Sequence, residues 1–230
     1  MNETVPDKRS DAKLLDNEAY KFRRPSQARG VEKFNKILDA ADALVAESGS
    51  AEDLSLYDIA DKAGVAVGSV YHFFPSNQAV LVALIERYDQ RFEELVEEPT
   101  DASSVSDWQS VIWLQTERSR QYINDTPGAL IMILGSGQTW ATRLADEVGD
   151  AAIAASMVAA LNQHFVLPTN PEPQQLVFNS IRMLESLWAT SYIRHGLVTE
   201  DYAAETHKAM CAYLALYWPP YLESSGGAGD

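Results

Sequence analysis

The feature that most constrains this chain is the run 54–76, LSLYDIADKAGVAVGSVYHFFPS, in which two short apolar periods flank a glycine. Ser55 followed three residues later by Asp58 has the spacing of a capping box, which satisfies amides that a helix start leaves unpaired. Leu56, Ile59, Ala60 and Ala63 then recur on one face at helical spacing. Gly64 tolerates the left-handed conformation that stops a helix at little steric cost. The pattern predicts a sharp turn at Gly64-Val65 and a second helix with Val70 and Phe73 or Phe74 turned inward, ended by Pro75, with Ser76 free to cap the next. A helix, a glycine turn and a second short helix make a helix-turn-helix, whose second helix is built to enter the major groove of DNA.

In this register Gly68-Ser69-Val70-Tyr71-His72-Phe73-Phe74 resembles the recognition helix of TetR-family transcriptional repressors, and the resemblance extends over residues 27–90. Two positions depart from that family's habit. Ala66 stands where a serine or threonine usually caps the recognition helix, forgoing about 1 kcal/mol of capping. Asn77 replaces a lysine that meets a phosphate near the start of the fourth helix; it can donate a hydrogen bond but carries no charge.

The residue chemistry assigns roles within the motif. The hydroxyls of Ser55, Ser69 and Tyr71 can donate to phosphates and set register, Tyr57 can reach the backbone, and Val67 and His72 can reach base edges. Tyr71 could instead be a core aromatic, yet Phe73 and Phe74 beside it already supply that filling, while an exposed His72 could be merely solvated. Arg23 and Arg24 can enter a minor groove from a flexible arm.

A net charge of -15 looks wrong for a DNA binder until its distribution is followed. Lys21, Arg23, Arg24, Arg29, Lys33 and Lys36 are interrupted only by Glu32, whereas residues 91–230 hold seven basic and eighteen acidic side chains. A basic face on an acidic body suffices for phosphate contacts and discourages indiscriminate binding. No apolar run approaches the ~20 residues of a membrane span, the polar start is no signal sequence, and Cys211 has no internal partner for a disulfide, so a cytoplasmic protein with no membrane association is expected.

The organisation reads as all-α, with about nine helices and no sustained alternation of strand type. The boundaries are a flexible N-terminal arm (1–24), a three-helix DNA-binding head (25–75), a connecting helix (76–98), a larger ligand-binding and dimerisation domain (99–222) and a disordered tail (223–230). Val31, Phe34, Ile37, Leu38, Ala41, Leu44 and Val45 stripe the first helix. Breaks are expected at 124–128 and 135–137, with an all-apolar, buried segment between them.

The resemblance implies a cavity for a small, mostly apolar effector in the larger domain. Tyr88, Trp113, Met132, Trp140, Phe178 and Arg182 are its candidate lining, although each aromatic could equally be ordinary core. Arg182 suggests an anionic group on the effector, unless it only covers apolar surface. Wide apolar stripes on the last two helices suit a homodimer, which is also how the family pairs, and a dimer places two reading helices about one DNA turn apart on a palindromic operator. The expected function is therefore a DNA-binding transcriptional regulator, a repressor released by its effector. The alternative is a helical adaptor, or an enzyme, that has turned the helix-turn-helix to protein contact. No nucleophile elbow, P-loop or dinucleotide fingerprint is present, so no catalytic residue and no cofactor is assigned. His207 and Cys211, one helical turn apart, are two ligands and not a metal site, and the acidic run Glu93, Glu94, Glu97, Glu98 reads as a solvated helix end.

Overall fold

The computed structural model describes residues 20–52, 54–135 and 138–225; most of the expected N-terminal arm, the Ser136-Gly137 part of the second break and residues 226–230 of the tail lie outside them. Among the described residues the chain is all-α, with nine helices and no strand. Backbone pairing of strand type is confined there to an isolated bridge between Phe165 and Ser224. The chain forms two compact units: one runs to Arg87 and takes in Ile131–Glu147, the other comprises Tyr88–Leu130 and the chain from Val148 onward.

In the first unit, α1 (Ala28–Ser48) buries Phe34, Ile37, Leu38, Ala40, Ala41 and Val45, while Val31 of the expected stripe is exposed. α2 (Leu56–Ala63) starts at Ser55, whose hydroxyl accepts the Tyr57 amide at 3.2 Å. The short serine side chain takes this second amide of the helix and not that of Asp58, which stays exposed in the first turn, where its charge opposes the helix dipole favourably. Gly64 adopts the predicted left-handed conformation, φ 63°, and its amide closes α2. α3 (Val67–Phe73) follows from Ala66, which supplies no side-chain cap, and Ser76 accepts the Ala79 amide at 3.1 Å to open α4 (Asn77–Glu97). Gln78 of α4 accepts a hydrogen bond from Thr139 at 3.0 Å, within the segment 131–147 that the sequence boundary at 99 had placed elsewhere.

The second unit is built on α5 (Trp108–Asp125), opened by a capping box: the Ser110 amide donates to the Asp107 carboxylate at 2.8 Å, and the Asp107 amide donates to the Ser110 hydroxyl at 3.2 Å. The expected break at 124–128 shrinks to Thr126, because Pro127 occupies the first turn of α6 (Pro127–Ala129), where its missing amide costs nothing; Leu130–Leu134 follows as a π-helical turn. α7 (Trp140–Asn162), α8 (Pro173–His195) and α9 (Glu200–Leu214) complete the helices.

Polar side chains rivet the second unit where helices turn. Asn124 of α5 grips Val198 in the α8–α9 turn twice, donating to its carbonyl and accepting its amide, each at 2.9 Å. Arg118 donates to the carbonyls of Glu98 and Pro99 at 2.8 and 3.0 Å, satisfying acceptors that the end of α4 leaves over. Trp108, fully buried, meets Trp218 edge-on at 5.3 Å and donates to the Pro219 carbonyl at 3.0 Å. The first residues of the expected disordered tail are ordered: Val166 donates to the Glu223 carbonyl at 2.8 Å and Ser225 to that of His164 at 3.0 Å, so 223–225 are held by backbone bonds.

Gly149 of α7 faces the buried Asp89 of α4, and a Cβ at this glycine would overlap the Asp89 carboxyl. Overpacking of this kind costs about 1–3 kcal/mol, more than the ~1 kcal/mol that alanine gains over glycine in a helix. Gly149→Ala is therefore expected to lower stability by up to about 2 kcal/mol, read from the midpoint of urea unfolding with an unchanged slope.

Candidate nucleic-acid interface

The reading helix is short and must be held from outside. α3 has seven residues, and its inward side chains Val70 and Phe73 are joined by Phe74, all buried. Phe74 stacks on Phe34 of α1 with ring centroids 4.9 Å apart, and Phe73 meets the same ring edge-on at 5.7 Å. Phe22 completes the cluster at 5.9 Å from both Phe34 and Phe74. Each such aromatic pair adds about 0.5–1.5 kcal/mol beyond the area it buries.

Because Val70 and Phe73 point inward, helical geometry turns the intervening side chains out. Tyr71 is 47% exposed and His72 is exposed; Tyr57 of α2, 65% exposed, meets Tyr71 edge-on at 6.5 Å. Val67 and Ser69 are half-buried on the same helix, and the Lys33 ammonium lies 3.4 Å from the Ser69 hydroxyl, to which it donates. Gly68 between them is exposed, and a Cβ there would meet none of the described residues. The structure thus brings Tyr57, Val67, Ser69, Tyr71 and His72 to the helix-turn-helix surface, with Ser55 at the edge, its hydroxyl spent as the cap of α2.

Three expected contacts sit differently. Arg23 and Arg24 do not ride on a loose arm: Phe22 is packed into the cluster, the Arg23 amide donates to the Phe73 carbonyl at 2.8 Å, and the Arg24 guanidinium lies 4.9 Å over the Phe22 ring and pairs with Glu86. Burial pushes the Glu86 carboxyl up, against the opposing pull of Arg24. The Arg23 side chain remains exposed. Asn77 donates its carboxamide to the Leu54 carbonyl at 2.6 Å, tying the start of α4 to the entry of α2. Elsewhere in this unit Lys36 pairs with Glu32 at 2.9 Å, Lys62 with Glu47 at 2.6 Å, and Arg87 with Asp39 and Asp42 at 2.7 and 3.1 Å.

The six candidate effector residues do not converge as one group within a unit. Tyr88, Trp113, Phe178 and Arg182 belong to the second unit, Met132 and Trp140 to the first. Tyr88 and Met132 are buried, whereas Trp140 is 59% exposed and is a surface group. Arg182 pairs with Asp150 at 2.5 Å and with Glu185 at 2.6 Å, so its charge is already met twice from within the chain and gives no ground for an anionic effector. Trp113 lies edge-on to His207 at 5.3 Å. Next to them burial pushes the Cys211 thiol up to about 11 and holds His207 below its ordinary value.

Residues 37–84 match the model of the bacterial regulatory proteins of the tetR family. The HTH-type transcriptional regulator EthR of Mycobacterium tuberculosis (strain ATCC 25618 / H37Rv) is 32% identical over 94 residues, 39% of this chain and 43% of that protein. The chain thus aligns with less than half the length of this relative. The HTH-type transcriptional repressor KstR of Rhodococcus jostii is 25% identical over 162 residues, covering 70% of this chain and 72% of its own. A TetR-family transcriptional regulator from Streptomyces coelicolor shares the fold, with a TM-score of 0.67 at 19% identity over 81% of this chain and 98% of that one.

Since the described residues leave open space around Gly68, no internal contact requires a glycine there. Gly68→Ala is expected to raise stability by about 0.5 kcal/mol through helix propensity. The check is thermal unfolding, and a lowered melting temperature would mean that the fold itself needs this glycine.

Proposed function

We propose, from a head that belongs to the tetR family of bacterial regulatory proteins, that this chain is a DNA-binding transcriptional regulator. It acts in the cytoplasm as a repressor that leaves a palindromic operator when a small, mostly apolar effector binds its second unit. The observation that carries this reading is the outward face of the helix-turn-helix. Tyr57 and Tyr71 stand exposed beside Ser69 and His72, around a glycine that the internal packing does not need. Hydroxyls at these positions donate to phosphate oxygens and fix register, while His72 and Val67 face base edges. Gly68 lets the sugar-phosphate backbone come close.

A dimer is supported by α8. Met183, Leu187 and Ile193 recur with Ser186 and Thr190 along one face, which Leu197 continues beyond the helix; Ile193 is 79% exposed, Leu197 43% and Met183 37%. A strip of this kind suits an isologous contact in which two copies of the α8–α9 pair make a four-helix interface. Leu214, on the other hand, is fully buried and belongs to the core of the protomer. No helix among the described residues is long and apolar enough to cross a membrane.

Fluorescence anisotropy with DNA fragments selected from the genome tests the DNA reading. Tyr71→Phe removes one hydrogen bond to an anionic phosphate oxygen and is expected to weaken every bound sequence alike, by about tenfold to a hundredfold. His72→Ala is expected to narrow the gap between preferred and altered sequences as well. Gly68→Ala, although more stable, is expected to bind DNA less tightly than the parent. Unchanged affinity in all three variants overturns the assignment of this face.

Sedimentation tests the dimer. Ile193→Glu places a charge in the centre of the strip without touching the core, so the expected product is a monomer with unaltered far-ultraviolet circular dichroism and with DNA affinity reduced by the loss of the second head. A folded, dimeric variant moves the interface away from α8.

A further inference from the structure

The second unit holds one fully buried carboxamide with nothing to bond. Gln115 of α5 is 1% exposed, and neither its Nε2 nor its Oε1 has a hydrogen-bond partner among the described residues. The neighbours that might have served are committed to their own helix. Thr116 donates to the Ile112 carbonyl at 2.9 Å, and Ser119 donates to the main-chain carbonyl of Gln115 at 3.0 Å. The arginines of α5 are occupied too, Arg120 with Glu117 at 2.6 Å and Arg118 with the carbonyls after α4. One turn and two turns before Gln115 stand Val111, Ile112 and Trp108, all buried, so the carboxamide sits on an apolar stripe. Trp188 of α8 is likewise 3% exposed, and its indole N–H has no partner among the described residues.

Leaving an amide unsatisfied in an apolar interior is costly, and protein interiors pair such groups almost without exception. A glutamine at this place in α5 could have been methionine of nearly the same volume at no such cost. We infer that Gln115 is the polar anchor of a ligand site in the second unit, which takes a neutral group carrying a hydrogen-bond donor and acceptor side by side: a primary carboxamide on an apolar body. A carboxamide presents donor to acceptor and acceptor to donor against Gln115 in one planar pair. A carboxylate fits badly, since it offers only acceptors, and Arg182, the arginine that suggested an anion, is bound to Asp150 and Glu185. This inference rests on the proposed effector-responsive function and names the chemical class that the effector belongs to.

Octanamide, N,N-dimethyloctanamide and octanoate separate the possibilities, with the full-length chain titrated by calorimetry. Octanamide is expected to bind about tenfold more tightly than the dimethyl compound, which lacks the N–H donors, and octanoate more weakly than octanamide. In Gln115→Met, shown to be folded by circular dichroism, the preference of octanamide over the dimethyl compound is expected to vanish. The unliganded variant is expected to melt above the parent, because two unpaired polar atoms have left the interior. A methionine variant that melts below the parent means that the carboxamide is bonded within the free protein, and overturns the inference. So does equal binding of the two amides by the parent, tighter binding of octanoate, or no binding of octanamide; these parent measurements stand even where the variant fails to fold. Operator release is measured separately. Octanamide that binds through Gln115 yet leaves DNA affinity untouched removes the effector role and keeps the site, whereas release by compounds indifferent to Gln115 keeps the effector role and removes the site.

Discussion

A seven-residue helix has no stability of its own in water, so the outward face of the helix-turn-helix depends on the aromatic contact that pins α3 to α1. Phe34 is the shared partner: Phe73, Phe74 and Phe22 all meet its ring, from α3, from the residue that ends α3, and from the segment that enters α1. Ala66 leaves the first turn of α3 without a side-chain cap, which makes this packing more necessary. The same cluster docks the segment 22–24, and with it the exposed Arg23, beside the end of α3.

Once Val70 and Phe73 are committed inward, the helical period leaves little freedom to the others. Tyr71 and His72 must face outward, and the left-handed turn at Gly64 sets the direction from which α2 brings Tyr57 beside them. This part of the molecule was legible in the sequence because it is local: caps, a stop signal and a 3.6-residue period act within a few positions of one another. The helix limits followed for the same reason, down to Ser76 as the cap of α4 and Gly196 as the end of α8.

What stayed hidden was every pairing fixed through space. Asn77 reads as a phosphate donor until Leu54 is seen to accept its hydrogen bond, and Arg182 reads as an anion site until Asp150 and Glu185 are seen to enclose it. Trp140 belongs to an alanine-rich helix whose tryptophan, in sequence, has no reason to be a surface residue; the structure leaves it exposed. Segment 131–147 begins within the apolar run 129–134, and composition alone could not assign it to the first unit. Gln115 carries no signal in the sequence, because a glutamine within an amphipathic helix is ordinarily solvent-facing. Only the burial of the surrounding turn, together with hydroxyls already spent on α5's own carbonyls, distinguishes it.

These hidden pairings also change what the charge distribution means. The sequence offers a basic entry to an otherwise acidic chain, but in the first unit Arg24, Lys36, Lys62 and Arg87 are each held by carboxylates, and exposed pairs of this kind gain little yet still offset the cation's field. Meeting a phosphate would require such a lysine or arginine to exchange one anion for another. The groups best placed to meet a backbone are then the exposed tyrosines and Ser69, with Lys33 beside it and Arg23 nearby. Neutral donors bind phosphate only at the right distance and angle, whereas a crowd of cations binds it anywhere along the duplex. With eighteen acidic side chains against seven basic ones, the chain after residue 90 offers a polyanion no general attraction. On the proposed DNA-binding function, selectivity of register over mere attraction is what an aromatic-braced, weakly cationic α3 would provide.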